Sequence, residues 1–168
     1  NSDPITETQW AMIRSWQIIR LNRVNSSEAK ASSLEGVQYF TGLTVLDCAG
    51  NQLSTLDLST LTKLTQLDCG RNRLTSLNIS QSTQLKILAC GENAISSLDL
   101  RNNSALESIV CYSNPLGSLL LGEKSALTSL ICYDSRLRSL DLSAAPKLEI
   151  LLCSGNQLTS LDLSVNTA

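Results

Sequence analysis

The chain of 168 residues contains no histidine, and only 4% of its residues are aromatic. Without histidine it lacks the commonest general base and the commonest metal ligand of proteins near neutral pH. A Gly-rich phosphate loop and a nucleophile–base pair are also not recognisable in the sequence. We therefore predict a protein that is not an enzyme and that needs neither a metal nor another cofactor.

Charge of either sign is scarce as well. The net charge is −2 and charged residues make up 17% of the chain, whereas a nucleic-acid-binding domain is normally basic, with clustered Lys and Arg. No apolar run approaches the roughly 18 residues that indicate a membrane-spanning helix. The composition therefore predicts no nucleic-acid partner and no membrane insertion.

Cysteine, in contrast, is frequent and evenly spaced, and it recurs with a period of 21 residues. The six are Cys48, Cys69, Cys90, Cys111, Cys132 and Cys153. A fixed period of this size is typical of a solenoid. Alignment on the cysteines gives six repeats, which begin at Leu43, Leu64, Leu85, Leu106, Leu127 and Leu148. Their common pattern is L-x-x-L-x-C-x-x-N-x-L-x-x-L-x-L followed by five variable residues.

This pattern predicts one short strand per repeat. The apolar positions 4 and 6 alternate with positions 3, 5 and 7, which is typical of a strand with one buried face. Stacked repeats would pair these strands into a parallel sheet with a spacing of about 4.8 Å. Positions 8 to 21 would form the return connection, and their polar residues favour turns over a long helix.

Position 9 is asparagine in five of the six repeats, at Asn51, Asn72, Asn93, Asn114 and Asn156. We expect its amide to satisfy backbone groups of the turn and of the next repeat. Ser135 interrupts this row. The asparagines and the cysteines are therefore predicted to be structural.

The cysteine row has three interpretations. A disulfide prefers Cβ atoms about 3.5–4.5 Å apart and converging, whereas neighbouring in-register cysteines would point the same way at about 4.8 Å. Zinc needs a tetrahedron of ligands, which a line of sulfurs does not supply. The spacing favours packed thiols that behave as small buried hydrophobes, and we expect almost none to be accessible in the native state.

Acidic residues also recur. Asp47 and Asp68 share strand position 5 in adjacent repeats, at a separation that resembles a retaining glycosidase pair, but an open face without a pocket favours solvated carboxylates. Position 15 holds Asp57, Asp99, Asp141 and Asp162. A calcium site there is weakly supported, because calcium prefers six to eight clustered oxygens.

The first part of the chain does not follow the repeat. Asp3 and Pro4 form a favourable helix start, and apolar residues of the segment 4–21 fall roughly on one helical face. These are Trp10, Ile13, Trp16, Ile19 and Leu21. We predict an amphipathic helix over residues 4–21 that covers one end of the core, followed by a polar connector to residue 33. The last repeat carries no polar cap, so another domain or chain is expected to cover that end.

The segments LDCAGNQLSTLDLS (46–59) and CSGNQLTSLDLSVNTA (153–168) resemble the leucine-rich repeat, and SLEGVQYFTGLTVLDC (33–48) is similar to a degenerate first repeat. In detail the repeats resemble the bacterial internalin type, especially the 21-residue cysteine-ladder form of internalin J and of secreted Bacteroidetes proteins. The resemblance implies an α/β repeat solenoid, short, curved and right-handed, with a parallel concave sheet. Residues 1–33 would be the N-terminal helical cap and connector, and residues 34–168 the leucine-rich-repeat domain. It also implies an extracellular or surface-attached bacterial protein whose concave face binds a ligand.

The exposed strand positions distinguish the two halves of that face. Its first half is acidic and small, whereas its second half is apolar with two neighbouring tyrosines. The candidate ligand-binding residues are Val110, Tyr112, Ile131, Tyr133, Ile150, Leu152, Asp134 and Arg136. A contiguous apolar patch marks an interaction surface, so we predict a recognition module for a protein or glycan. The alternatives are a structural spacer, a module that self-associates through the patch or the C-terminal end, contact of the patch with a missing domain, and a patch without function.

Overall fold

The computed structural model describes residues 6–21 and 30–166, and every structural statement below concerns those residues. A helix, α1 (Glu7–Ser15), is followed by a strand, β1 (Ile18–Arg20), and by a 3-10 turn at Val37–Tyr39. The remaining strands are β2 (Val45–Asp47), β3 (Gln66–Asp68), β4 (Ile87–Ala89), β5 (Ser97–Asp99), β6 (Ser108–Val110), β7 (Ser118–Leu120), β8 (Ser129–Ile131) and β9 (Ile150–Leu152).

Seven strands form one parallel sheet in the order β1-β2-β3-β4-β6-β8-β9. From β2 onward its strands occupy positions 3 to 5 of each repeat, and equivalent positions pair without a shift, as in Leu67 with Leu88. The leucine-rich-repeat solenoid predicted from the sequence is therefore confirmed. Within the described return segments the chain turns without a helix, and β5 pairs with β7 as a second, two-stranded parallel sheet that the sequence did not predict.

The core is a stack of the repeated leucines and isoleucines. Nearly all residues at the six predicted inward positions of the first five repeats are buried. In the sixth repeat burial is incomplete: Leu151 and Leu158 are partly buried, and the predicted inward residue Leu163 is 47% exposed. No following coil packs on these side chains within the described residues, so the stacking that buries their equivalents is missing.

The cysteines pack in this core as free thiols. Five are fully buried, whereas Cys153, next to the last strand of the sheet, is only partly buried. Burial raises the pKa of Cys48, Cys90 and Cys132 to about 12. Since the thiolate is the reactive form, these sulfurs are protected both by packing and by protonation.

The asparagine row joins neighbouring repeats. In Asn93, Nδ2 donates to the carbonyl of Cys90 in the same repeat (3.0 Å) and to that of Cys69 in the preceding repeat (3.1 Å). Its Oδ1 accepts from the amide of Leu74, also in the preceding repeat, at 3.0 Å. The inter-repeat bonds thus run to the preceding repeat, not to the next one as expected.

Ser135 replaces asparagine in this row and only partly substitutes for it. Its hydroxyl donates to the carbonyls of Cys111 (3.3 Å) and Tyr133 (3.1 Å). It does not reach the amide of Leu116, which bonds instead to the carbonyl of Asn114 at 2.8 Å. The junction between the fourth and fifth repeats therefore has fewer side-chain bonds from this row than either neighbouring junction.

A second inward row at position 19 was missed by the sequence analysis because its residue types differ. It contains Leu61, Ser82, Asn103, Lys124 and Ala145, all buried. The Lys124 side chain is fully buried, and its Nζ donates to the carbonyls of Leu100 (3.0 Å), Leu121 (2.6 Å) and Glu123 (3.1 Å). Desolvation lowers the pKa of this amine.

The N-terminal segment differs from the predicted helix over 4–21. The helix begins at Glu7, where Thr6 caps it by a reciprocal capping box with Gln9, whereas Asp3 and Pro4 lie outside the described residues. It ends at Ser15, and Ile18–Arg20 pair with β2 as a strand. Ile19 therefore packs against the core as a strand residue rather than from a helical face, because Ile18–Arg20 pair with β2 of the first repeat.

We expect thiol titration of the native protein to find one slowly reacting cysteine, Cys153, and five more only after denaturation. The reason is that the other five are buried and free. Replacement of Cys153 by serine should abolish the native reaction. Several fast-reacting thiols that remain in this variant would contradict the packed row.

Substitution of Asn93 by alanine should lower the free energy of unfolding by about 2–4 kcal/mol, since it leaves buried backbone groups without partners. Urea unfolding followed by circular dichroism measures this change. Asn102, an exposed turn residue, is the matched control, and its alanine variant should change stability by less than about 0.5 kcal/mol. Equal effects of the two substitutions would contradict the structural role of the row.

Candidate functional site

The solvent-facing side of the seven-stranded sheet is here called the concave face, since strands line the inside of the horseshoe in leucine-rich repeats. Its side chains stand in rows, because the strands pair in register. The position 5 row changes from charged to apolar, through Arg20, Asp47, Asp68, Ala89, Val110, Ile131 and Leu152. The two halves predicted from the sequence are thus adjacent parts of one surface.

The apolar part is contiguous. Val110 lies beside Ile131, which lies beside Leu152. Val110 and Ile131 are half-buried by their neighbours, whereas Leu152 and Ile150 at the edge are 49% and 50% exposed. These four residues form one apolar strip across the last three strands of the sheet.

The two tyrosines lie at position 7, next to this strip. Their rings are stacked, with centroids 4.6 Å apart and an interplanar angle of 15°. The ring of Tyr112 also lies against Gly91, where an added Cβ would stand 2.8 Å from the nearest ring carbon. Glycine at 91 therefore allows the ring to adopt this position.

The Tyr112 hydroxyl is held from the other side. It donates to Oε1 of Glu92 at 2.7 Å, and Nε of Arg71 donates to the same oxygen at 2.9 Å. This bond with Glu92 raises the pKa of Tyr112 and, together with Arg71, lowers that of Glu92. The sequence analysis did not identify Glu92 and Arg71 as partners of Tyr112. Their opposite charges at position 8 of adjacent repeats would have indicated the ion pair.

Position 8 has a left-handed backbone in every repeat. Its residues are Gly50, Arg71, Glu92, Ser113, Asp134 and Gly155, with φ between 51° and 72°. Such a conformation is uncommon outside glycine. It directs the chain out of the strand and carries Arg71 and Glu92 at the margin of the concave face.

A hollow of about 220 Å³ lies beside Tyr112. Small residues line it, namely Ala49, Gly70, Ala89 and Gly91, together with Val110, Tyr112, Asp68 and Arg71. Partial burial raises the pKa of Asp68, and the neighbouring Asp47 adds to the effect. The hollow exists because two glycines precede two tyrosines in the position 7 row.

Two of the candidate ligand-binding residues, Asp134 and Arg136, lie beyond the strand ends rather than on the sheet. Both are exposed and have positive φ values of 52° and 56°. With Pro115 they line a separate open depression of about 430 Å³. They therefore flank the tyrosines but do not line the hollow.

The recurring aspartates at position 15 organise turns. Oδ1 of Asp57 accepts from the backbone amide of Ser59 at 3.0 Å, and Asp141 and Asp162 accept from Ser143 and Ser164 in the same way. Within the described residues there is no group of three or more acidic or cysteine side chains placed to hold a metal ion. Nor does any described helix have the length and apolar character needed to cross a membrane.

A cavity of about 560 Å³ lies at the N-terminal end, away from the concave face. Its walls come from α1, β1 and the 3-10 turn, and they include Ile13, Trp16 and Phe40. The rings of Trp16 and Phe40 are 5.5 Å apart. Its lining is almost entirely apolar, so it offers few groups that would orient a ligand.

Comparison with known proteins agrees with this geometry. The family described as leucine-rich repeats (2 copies) matches residues 41–81. The functional domain of InlJ from Listeria monocytogenes, which includes a cysteine ladder, is 29% identical over 88% of the chain, with a TM-score of 0.61. The fold is therefore that of a leucine-rich-repeat solenoid, and the chain is similar to the internalins.

Two further structures match this leucine-rich-repeat protein at 26% identity. An internalin (InlF) from Listeria monocytogenes covers 79% of the chain with a TM-score of 0.63. A leucine-rich-repeat protein of Leptospira interrogans covers 92%, with a TM-score of 0.77. The chain spans only 40%, 39% and 41% of the InlJ, InlF and Leptospira structures. No curated protein matches the chain in sequence.

Replacement of Glu92 by glutamine should lower the pKa of Tyr112 toward its ordinary value. The carboxylate accepts from the phenol and favours its neutral form, so removal of the negative charge makes ionisation easier. Ultraviolet titration of the tyrosines measures the change. Glu107→Gln, which removes a carboxylate paired with Lys86, should leave the titration unchanged, and a Tyr112 pKa unaffected by Glu92→Gln would contradict the bond.

Proposed function

We propose that this protein is a non-enzymatic recognition module of a secreted or surface-displayed bacterial protein, and that its concave face binds a protein or glycan. The internalin-like leucine-rich-repeat fold is that of a protein-interaction module. The observation that supports the finer proposal is the apolar strip beside the stacked Tyr112 and Tyr133. Val110, Ile131, Ile150 and Leu152 complete this surface, and Asp134 and Arg136 belong to its rim.

The strip is unexplained by the scaffold. Inward residues suffice to build each coil, and position 5 is aspartate in two repeats without harm to the pairing of β2 with β3. Exposed apolar residues that are contiguous mark interaction surfaces more often than scattered ones do. Tyrosine is also among the residues that contribute most to binding energy at interfaces.

The tyrosines are also pre-organised. Stacking, contact with Gly91 and the bond to Glu92 restrict Tyr112 before any ligand arrives. A side chain that is already ordered loses less conformational entropy on binding. A polar rim around an apolar centre, as Arg71, Glu92 and Arg136 provide here, is the usual anatomy of a binding surface.

The double substitution Tyr112→Ser and Tyr133→Ser tests this proposal. A random-peptide display library and a glycan array, both probed with the unmodified protein, supply the ligands. We expect the double variant to lose about 2 kcal/mol of binding free energy or more, since each hot-spot residue contributes over 1 kcal/mol. The matched control is Leu120→Ser, which removes an exposed leucine on β7, outside the concave face.

Ligands that bind the double variant as tightly as the unmodified protein would argue against the concave face as the binding surface. So would ligands whose affinity falls equally in Leu120→Ser. Light scattering separates recognition from self-association. A concentration-dependent dimer that disappears in the double variant would favour a self-associating module, whereas a monomer that loses only ligand binding would favour recognition.

A further inference from the structure

The hollow beside Tyr112 is too small for a free ligand of ordinary size. Small-molecule pockets usually occupy about 300–1,000 Å³, whereas this one is about 220 Å³. It is also open to the concave face, next to the tyrosine pair. Its size therefore suits one protruding side chain of a larger ligand that covers the surrounding surface.

The charge available in the hollow is negative. The guanidinium of Arg71 also lines the hollow and partly offsets the rise in the pKa of Asp68 that burial causes, but its Nε is paired with Glu92 at 2.9 Å, so the two remaining carboxylates outweigh it. Asp68 has no cationic partner at salt-bridge distance among the described residues, and its Oδ1 accepts only a backbone bond from Gly70 at 3.0 Å. Asp47, its partner in the adjacent strand β2, does not line the hollow but adds a second carboxylate next to Asp68.

The remaining walls suit the stem and head of a basic side chain. Val110 and the alanines present methyl groups, against which the methylene chain of a lysine or arginine packs. The ring of Tyr112 attracts a cation placed within about 6 Å of its centroid. A carboxylate completes the set, because hydrogen bonds between charged groups are stronger than those between neutral groups.

We propose that the hollow is a subsite for a lysine or arginine side chain of a partner protein, seated between Asp68 and Tyr112. The inference rests on the proposed function, which supplies the surrounding interface. It makes the proposed function more specific, because it identifies the ligand as a protein and one of its contact residues as lysine or arginine. A protein is favoured over a glycan because the hollow has the size of one side chain, and two carboxylates beside an aromatic ring suit a cation, which a neutral glycan does not carry.

The inference is tested by nuclear magnetic resonance titration of the whole protein with N-acetyl-lysine methylamide and N-acetyl-arginine methylamide. We expect saturable shifts of the amides of Gly70, Ala89 and Gly91 at millimolar concentration. The uncharged N-acetyl-norleucine methylamide should produce no saturable shift. Shifts by norleucine equal to those by lysine, or by methyl glycosides in place of lysine, would overturn the inference, as would the absence of saturation by either basic probe.

Two variants locate the site. Asp68→Asn keeps the acceptor for the Gly70 amide and should weaken binding of the basic probes about tenfold or more. Gly91→Ala adds a Cβ that displaces the Tyr112 ring, and it should weaken binding without a change in charge. Asp141→Asn, a substitution in an exposed turn outside the concave face, is the control and should bind as the unmodified protein does. Equal binding by Asp68→Asn and the control would overturn the inference.

Peptides selected from the display library separate this inference from the proposed function. Peptides that need both Tyr112 and Asp68, and that lose binding when their Lys or Arg is replaced, support both. Peptides that need the tyrosines but neither Asp68 nor a basic residue would overturn the subsite and leave the concave face as the binding surface. Peptides indifferent to the tyrosines would overturn the proposed function, while the titration still decides whether the hollow binds a cation.

Discussion

The structure depends on hydrogen bonds to the backbone groups that are buried between coils. The coils have no long helix in which these groups could pair with one another. Each coil leaves its strand through a tight turn whose carbonyls and amides face inward, where water is absent. The asparagine amide solves this problem because it donates twice and accepts once, as Asn72 does with Cys48, Cys69 and Leu53. The asparagine side chains thereby fix the spacing of the coils at the turns, and strand pairing fixes it at the sheet.

This constraint separates scaffold from surface. Inward positions are set by packing, so cysteine recurs where a small apolar side chain fits between neighbours of its own kind. Outward positions carry no such demand, since strands pair equally well whether Asp47 or Ile131 projects from them. The contrast between acidic residues and large apolar ones along one row is therefore not required by folding, and it is the basis of the binding surface that we propose.

The repeat made most of the fold predictable. Strand positions, parallel pairing and the buried cysteines follow from a period of 21 and from the alternation of apolar residues. The N-terminal strand was not predictable in the same way, because Trp16 and Ile19 also fit a helical face and only pairing with β2 decides between the two. The position 19 row escaped notice because leucine, serine, asparagine, lysine and alanine share no side-chain property.

The candidate site was predictable only in part. The apolar row and the tyrosines could be read from alignment, since the repeat assigns each residue a direction. The hollow could not be predicted from the alignment, because it depends on the packing of the Tyr112 ring against Gly91 and on the hydrogen bond from the Tyr112 hydroxyl to Glu92. These are contacts between adjacent coils at the level of individual atoms, and a sequence pattern specifies the row but not the rotamer.

The buried Lys124 also bears on how the chain finds its correct order. Six nearly identical coils could stack out of sequence, with one coil skipped and every strand still paired. Lys124 distinguishes one junction from the rest, since its amine needs the carbonyls beneath it, benefits from the charges of Asp99 and Glu123, and is followed in its row by the small Ala145. A skipped coil would seat this charge beside another neighbour, and unpaired buried charge is costly. One buried charge in a row whose other residues are uncharged thus distinguishes the fourth coil from the others.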